Sequence, residues 1–298
     1  MHPLIRSVLE SGPVLTDGAW GTELQKLGLD PGEIADTWNL THPERVEQVA
    51  QSYVDAGSRI ILTNTFRANR IALASLGLAA KVSELNCAGV EISRKAAGNR
   101  AHVFASIGPS GKFLMAGEIG KDELRAAFAE QAKALALAGA EALVIETMAD
   151  LAEANLALDA AKETGLPVIV CMVFDTGKHK DRTFTGVTPE QATRELTEHG
   201  ADVVGANCGQ DIESFVGVCK RLKAGTKLPV WIKPNAGLPE LVGDRAVYNT
   251  TPEAFVDHVP ALIVARANFI GGCCGTDPRF IRALAKLLHA PRHSTTAP

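Results

Sequence analysis

Aromatic side chains are scarce in this chain. They form 5% of its 298 residues, with three tryptophans and two tyrosines, so few aromatic faces exist to hold a quaternary cation. Long apolar runs are missing as well. No stretch approaches the ~18 residues needed to span a bilayer, and the opening Met1-His2-Pro3-Leu4-Ile5-Arg6-Ser7 lacks the apolar run of a signal peptide. No membrane partner is expected, and a cytoplasmic location is. Neither sign of charge prevails: 30 Lys and Arg stand against 34 Asp and Glu, a net charge of -4 with the signs well mixed. That leaves no basic patch, so no nucleic-acid partner is expected. The six cysteines, Cys87, Cys171, Cys208, Cys219, Cys273 and Cys274, are too sparse for a disulfide framework. Packing or metal roles remain for them.

What the chain does have is a recurring unit. Eight short apolar runs each lead into a turn and then a helical pattern: Val14-Leu15-Thr16, Arg59 to Leu62, His102 to Ala105, Ala142 to Ile145, Val168 to Val173, Asp202 to Ala206, Pro229 to Ile232 and Ala267 to Ile270. Near-continuous apolar runs suit strands buried on both faces. Amphipathic helices are predicted over Pro43 to Ala56, Asp122 to Ala138, Leu151 to Glu163, Pro189 to His199, Ile212 to Lys223, Pro252 to Val264 and Pro278 to His289, with room for two between Arg70 and Asn99. Thr188-Pro189, Thr251-Pro252 and Asp277-Pro278 read as cap and first helical residue. Eight strand-helix units in about 250 residues predict an α/β fold of the (β/α)₈ TIM-barrel type, with an open doubly wound sheet as the alternative. One domain over residues 1–290 and a disordered tail over 291–298 are expected.

In such a barrel the residues ending different strands converge at one face. Cys208 ends the sixth strand, Asn235 the seventh, Cys273 and Cys274 the eighth, while Asp17 follows the first and Glu146 ends the fourth. Adjacent cysteines cannot readily bridge each other, and Gly271, Gly272 and Gly275 let their loop bend tightly. Cys208, Cys273 and Cys274 therefore read as a soft, catalytic zinc site with an open fourth position, the alternative being small buried hydrophobes. That alternative is the reading for Cys87, Cys171 and Cys219. Three thiolates leave zinc electron-rich, suited to binding a substrate thiol and keeping it nucleophilic at neutral pH. The expected chemistry is attack of that sulfur on an electrophilic carbon. Glu146 and Asp17 could pair with a substrate ammonium, or be satisfied by amides of their own loops.

These motifs resemble the homocysteine S-methyltransferase family over nearly the whole chain, from Asp17 to about Leu284. The matching segments are Asp17-Gly18-Ala19-Trp20-Gly21-Thr22, Thr63-Asn64-Thr65-Phe66, Ser106-Ile107-Gly108-Pro109, Glu146-Thr147, Asn207-Cys208-Gly209 and Gly271-Gly272-Cys273-Cys274-Gly275-Thr276. The resemblance implies an enzyme that methylates homocysteine to methionine. It implies Zn²⁺ on Cys208, Cys273 and Cys274 with homocysteine as fourth ligand, and Asp17, Gly18 and Glu146 as substrate-binding residues. Lys233-Pro234-Asn235-Ala236-Gly237-Leu238-Pro239 is most similar to the homocysteine-binding module of cobalamin-dependent methionine synthases. There the matching asparagine can occupy the metal before substrate arrives, so Asn235 is a candidate displaceable ligand, or else a residue holding the turn before Gly237.

The resemblance leaves several methyl donors open: methylcobalamin, betaine, S-methylmethionine or S-adenosylmethionine. Arg67 stands where betaine-using relatives carry an aromatic, although Trp20 and Trp38 could contribute aromatic faces. Because the chain ends with the barrel, the expectation is a stand-alone module that takes its methyl group from a methylated corrinoid on a separate protein docked at the barrel mouth. A non-catalytic zinc-containing partner of a corrinoid protein is the alternative of another class, and another thiol or a selenol could replace homocysteine as acceptor. The charged loop Gly177-Lys178-His179-Lys180-Asp181-Arg182-Thr183 reads as a solvated loop or a lid against the donor.

Overall fold

The computed structural model describes residues 1–30, 32–242 and 245–289. Eight parallel strands form its main sheet: β1 (Val14–Leu15), β2 (Ile60–Ile61), β3 (His102–Ile107), β4 (Ala142–Met148), β5 (Val168–Met172), β6 (Val203–Asp211), β7 (Val230–Asn235) and β10 (Phe269–Ile270). The strands β8 (Glu240–Val242) and β9 (Arg245–Val247) pair separately as an antiparallel hairpin after β7. The main sheet runs β1-β10-β7-β6-β5-β4-β3-β2. Its two ends meet: Arg59 N–H donates to Leu15 O at 2.9 Å, and Leu62 N–H donates to the Asp17 carboxylate at 2.7 Å. An open sheet would leave β1 and β2 far apart, so the fold is the expected (β/α)₈ TIM barrel.

The helices are α1 (Pro3–Val8), α2 (Gly21–Lys26), α3 (Trp38–Thr41), α4 (Pro43–Asp55), α5 (Arg70–Ala74), α6 (Val82–Ala97), α7 (Lys121–Leu137), α8 (Leu151–Lys162), α9 (Pro189–Glu198), α10 (Ile212–Ala224), α11 (Pro252–Val256), α12 (Val259–Val264) and α13 (Pro278–His289). Thr188 and Thr251 cap α9 and α11 as their spacing predicts, Thr188 in a reciprocal pair with Gln191. One predicted helix is wrong. The segment Pro252 to Val264 breaks at Asp257-His258, because Pro260 in the first turn of α12 has no N–H to continue the α11 ladder. The tail 291–298 lies outside the described residues.

Strand alternation divides the core in two. Val14, Ile60, Leu62, Phe104, Ala142, Val144, Ile169, Cys171, Val203, Trp231 and Phe269 form one buried cluster inside the barrel. Their neighbours Leu15, Ile61, Val103, Leu143, Val170, Val204, Ile232 and Ile270 face the helices. Trp231 lies between Phe104 and Phe269, with ring centroids 6.3 and 5.0 Å away. Ile5 and Val8 of α1 join the interior cluster, so this helix closes the barrel end opposite the strand C-termini. Cys171 and Cys219 are buried as expected, whereas Cys87 is only partly buried. Among the described residues, no helix is long and apolar enough to cross a membrane.

Candidate metal and substrate site

The site begins where the interior alternation turns polar. Two residues beyond Phe104 stands Ser106, beyond Val144 Glu146, beyond Trp231 Lys233, beyond Phe269 Gly271, and four beyond Val203 stands Asn207. All are buried. The last apolar layer is thus capped by polar side chains at the strand C-termini, the end of such a barrel at which sites form.

Two irregularities aim the key residues. The β4–β5 register shifts between Ile145 and Met148, and the β6–β7 register between Asn207 and Asp211. Inside these stretches Thr147 and Cys208 adopt left-handed backbones, φ 61° and 62°. That conformation costs a non-glycine residue roughly 1–2 kcal/mol, and a bulge of this kind re-aims side chains. The strand β6 runs on to Asp211, past Cys208 where the sequence pattern ends it.

The sulfurs of Cys208, Cys273 and Cys274 lie within 4.8 Å of one another, Cys208 and Cys274 at 3.9 Å. A tetrahedron with ~2.3 Å zinc–sulfur bonds has edges of about 3.8 Å, so the trio fits zinc. The cysteine loop is held from two sides. Cys273 N–H donates to Pro234 O at 2.7 Å and Ala236 N–H to Cys274 O at 2.9 Å, which straddles Asn235 with links to both cysteines. Among the described residues, the buried Asn235 Oδ1 has no hydrogen-bond partner. At Gly271 a Cβ would fall 2.0 Å from Thr16 Oγ1 and 2.6 Å from Asp17 O, so only glycine lets this strand end pass so close to β1. Hydrogen bonds within the trio pull both ways, and burial with like charge tips Cys208 and Cys274 up to about 12 and Cys273 further. Holding all three as thiolates takes a cation at their centre.

Both predicted carboxylates stand at this mouth. Glu146 Oε1 accepts Ser106 Oγ–H at 2.6 Å and Oε2 the Asn207 amide at 3.4 Å. Burial raises its pKa, opposed by Lys233 and Ser106. Asp17 is fully buried; its Oδ2 accepts the Trp20 indole N–H at 2.8 Å and Leu62 N–H at 2.7 Å, and its Oδ1 the Lys233 ammonium at 2.5 Å. Its partners are the Trp20 indole of its own loop, the backbone N–H just after β2 and Lys233 of β7, so the backbone amides of its own loop are not what satisfies it. Gly18 sits against Tyr53 and Thr276, where a Cβ would meet the Tyr53 ring and hydroxyl at 2.8 Å.

Sequence reading passed over three residues here. Lys233 was detectable from its interior register beyond Trp231. Asn207 bonds Thr147, Glu146 and, at 3.8 Å, the Cys273 sulfur; its inward parity was the available signal. Tyr248, after the hairpin, packs its ring over Gly275. Burial and then the neighbouring Cys274 raise its phenol pKa. Trp38 is buried beneath Arg45 and presents no face to a ligand. The loop holding His179 is tied down: Asp175 N–H donates to Arg182 O at 3.1 Å, and Asp181 pairs with Arg221 of α10.

Residues 14–288 match the homocysteine S-methyltransferase family. Methionine synthase of Mycobacterium tuberculosis is 27% identical over 303 residues, covering 93% of this chain and 25% of that protein. Methionine synthase of Mycobacterium leprae is 29% identical over 288 residues, covering 90% and 24%. The chain therefore spans about a quarter of the length of these relatives. In fold it is similar to the metallated form of the homocysteine methyltransferase MmuM from Escherichia coli, with a TM-score of 0.81 at 23% identity over 96% of this chain and all of that one. With the family matched along nearly its whole length, this chain belongs to the homocysteine S-methyltransferase family.

Proposed function

We propose that this protein methylates the sulfur of homocysteine to give methionine, with Cys208, Cys273 and Cys274 holding Zn²⁺ and Asn235 lending a fourth ligand until substrate arrives. The observation that carries this reading is the clustering of three sulfurs beside a buried carboxylate pair. When bound there, zinc would lower the pKa of a substrate thiol and keep the sulfur nucleophilic. The chain's own groups do the rest. Glu146, with its weakly engaged Oε2, accepts the substrate ammonium. Asp17 and Gly18 shape the adjoining wall, and Asn207 holds the Glu146 and Cys208 segments in one frame. The apolar floor below Ser106 and Glu146 keeps water from the inner side of the pocket.

For the methyl donor we propose a methylated corrinoid, methylcobalamin, delivered by a separate protein. The rim supports a macromolecular donor: Phe113 and Phe184, from the loops after β3 and β5, pair with centroids 5.6 Å apart while remaining 51% and 64% exposed. Leu238 and Leu241, after β7, are exposed as well. Exposed apolar residues around a mouth mark an interaction surface. Supplying zinc-loaded protein with homocysteine and, in turn, methylcobalamin, betaine, S-methylmethionine and S-adenosylmethionine tests this. Methionine formed from methylcobalamin supports the corrinoid donor, and turnover from S-methylmethionine alone defeats it.

A further inference from the structure

Lys233 is a charged group at the mouth that the proposed reaction leaves without a part. It is the single buried lysine or arginine among the described residues. Its ammonium lies 2.5 Å from Asp17 Oδ1, with the two side chains 3% and 0% exposed. A hydrophobic residue at this interior position would avoid the desolvation of an ammonium, as Phe104 and Trp231 do one layer below. Lys233 fastens Asp17 through Oδ1 while Trp20 and Leu62 fasten Oδ2. Glu146 is the carboxylate left with spare acceptor capacity, its Oε2 having only the 3.4 Å contact with Asn207.

We infer that Lys233 sets the charge facing the substrate ammonium: two carboxylates, Asp17 and Glu146, against the one ammonium of Lys233 leave one uncompensated negative charge there for the substrate ammonium to meet. This rests on the homocysteine reading above. Lys233 is a positioning residue, acting through Asp17 and Glu146. Lys233→Met leaves two carboxylates for one ammonium, and Asp17→Asn leaves Lys233 free to neutralise Glu146. Only the second change removes the attraction for the substrate ammonium. Combining them restores a single negative charge and, with it, the substrate.

The test is calorimetric titration of L-homocysteine into the zinc-loaded protein for the wild type, Lys233→Met, Asp17→Asn and the double variant, with zinc content and melting temperature measured for each. Asp17→Asn is expected to weaken binding about tenfold or more, because the freed Lys233 ammonium then competes with the substrate's for Glu146. The double variant should return to within roughly threefold of the wild type, with zinc content equal throughout. A double variant that binds no better than the weaker single one overturns the inference. Where Lys233→Met fails to fold, the comparison of Asp17→Asn with the double variant decides, because a purely structural lysine predicts no gain from a second substitution. Absence of homocysteine binding by the wild type overturns the substrate reading and the inference with it, whereas wild-type binding without recovery overturns the inference alone.

Discussion

Thr147 and Asn207 clasp each other: Thr147 N–H donates to Asn207 Oδ1 at 2.8 Å, and Asn207 Nδ2 donates to Thr147 Oγ1 at 2.7 Å. The pair reaches across β5, since β4 and β6 are not neighbours in the sheet, and it joins the residue after Glu146 to the residue before Cys208. The carboxylate and one thiol are thereby fixed in a common frame. Asn207→Ala should cost about 1–3 kcal/mol of stability by leaving buried partners unsatisfied, and it should weaken both zinc retention against a chelator and homocysteine binding. Loss of only one of the two would contradict the clasp.

Glu146→Gln keeps the shape of the side chain and removes its charge. The expected result is a homocysteine KM raised about ten- to hundredfold, the loss of roughly 1.5–3 kcal/mol from a charged hydrogen bond, with zinc content unchanged. Steady-state kinetics beside metal analysis checks this. An unaltered KM would remove Glu146 from the substrate site.

Much of this was legible in the sequence, for identifiable reasons. The barrel was, because eight apolar runs and the Thr-Pro helix starts are local signals, and Thr188 and Thr251 cap where their spacing says. The thiol trio was, because Cys273-Cys274 and Cys208 are chemically unusual at strand ends. Lys233 and Asn207 were signalled only by their interior register, and their pairings were not legible because their partners lie 60 or more positions away. The break between α11 and α12 was missed because the apolar period continues through it while Pro260 alone interrupts the ladder.

Gly271→Ala tests the closeness of β1 to the cysteine loop. A methyl 2.0 Å from Thr16 Oγ1 and 2.6 Å from Asp17 O has nowhere to go, so the loop must shift. The variant should lose about 1–3 kcal/mol of stability and bind zinc less tightly than wild type in a chelator competition. Wild-type zinc affinity would show that the loop tolerates displacement.

Asp36, buried where it accepts Arg67 N–H at 2.8 Å, gives a pH signature away from the site. Burial pushes its carboxyl up to about 7, against the hydrogen bonds that pull it down. The folded state then keeps a proton that the unfolded chain releases near pH 4. Stability should therefore fall as pH rises from about 4 to 7 and level off above. Melting temperatures from pH 5 to 8 should drop less steeply for Asp36→Asn than for wild type; parallel curves would refute the assignment.

The central claim is that Cys208, Cys273 and Cys274 hold zinc with one position kept for the substrate sulfur. X-ray absorption at the zinc edge, recorded on zinc-loaded protein with and without L-homocysteine, addresses it directly. The account predicts three sulfur ligands and one oxygen or nitrogen ligand in the free protein, the latter lost in Asn235→Ala, and four sulfurs once homocysteine is added. A coordination sphere that homocysteine leaves unchanged would contradict it.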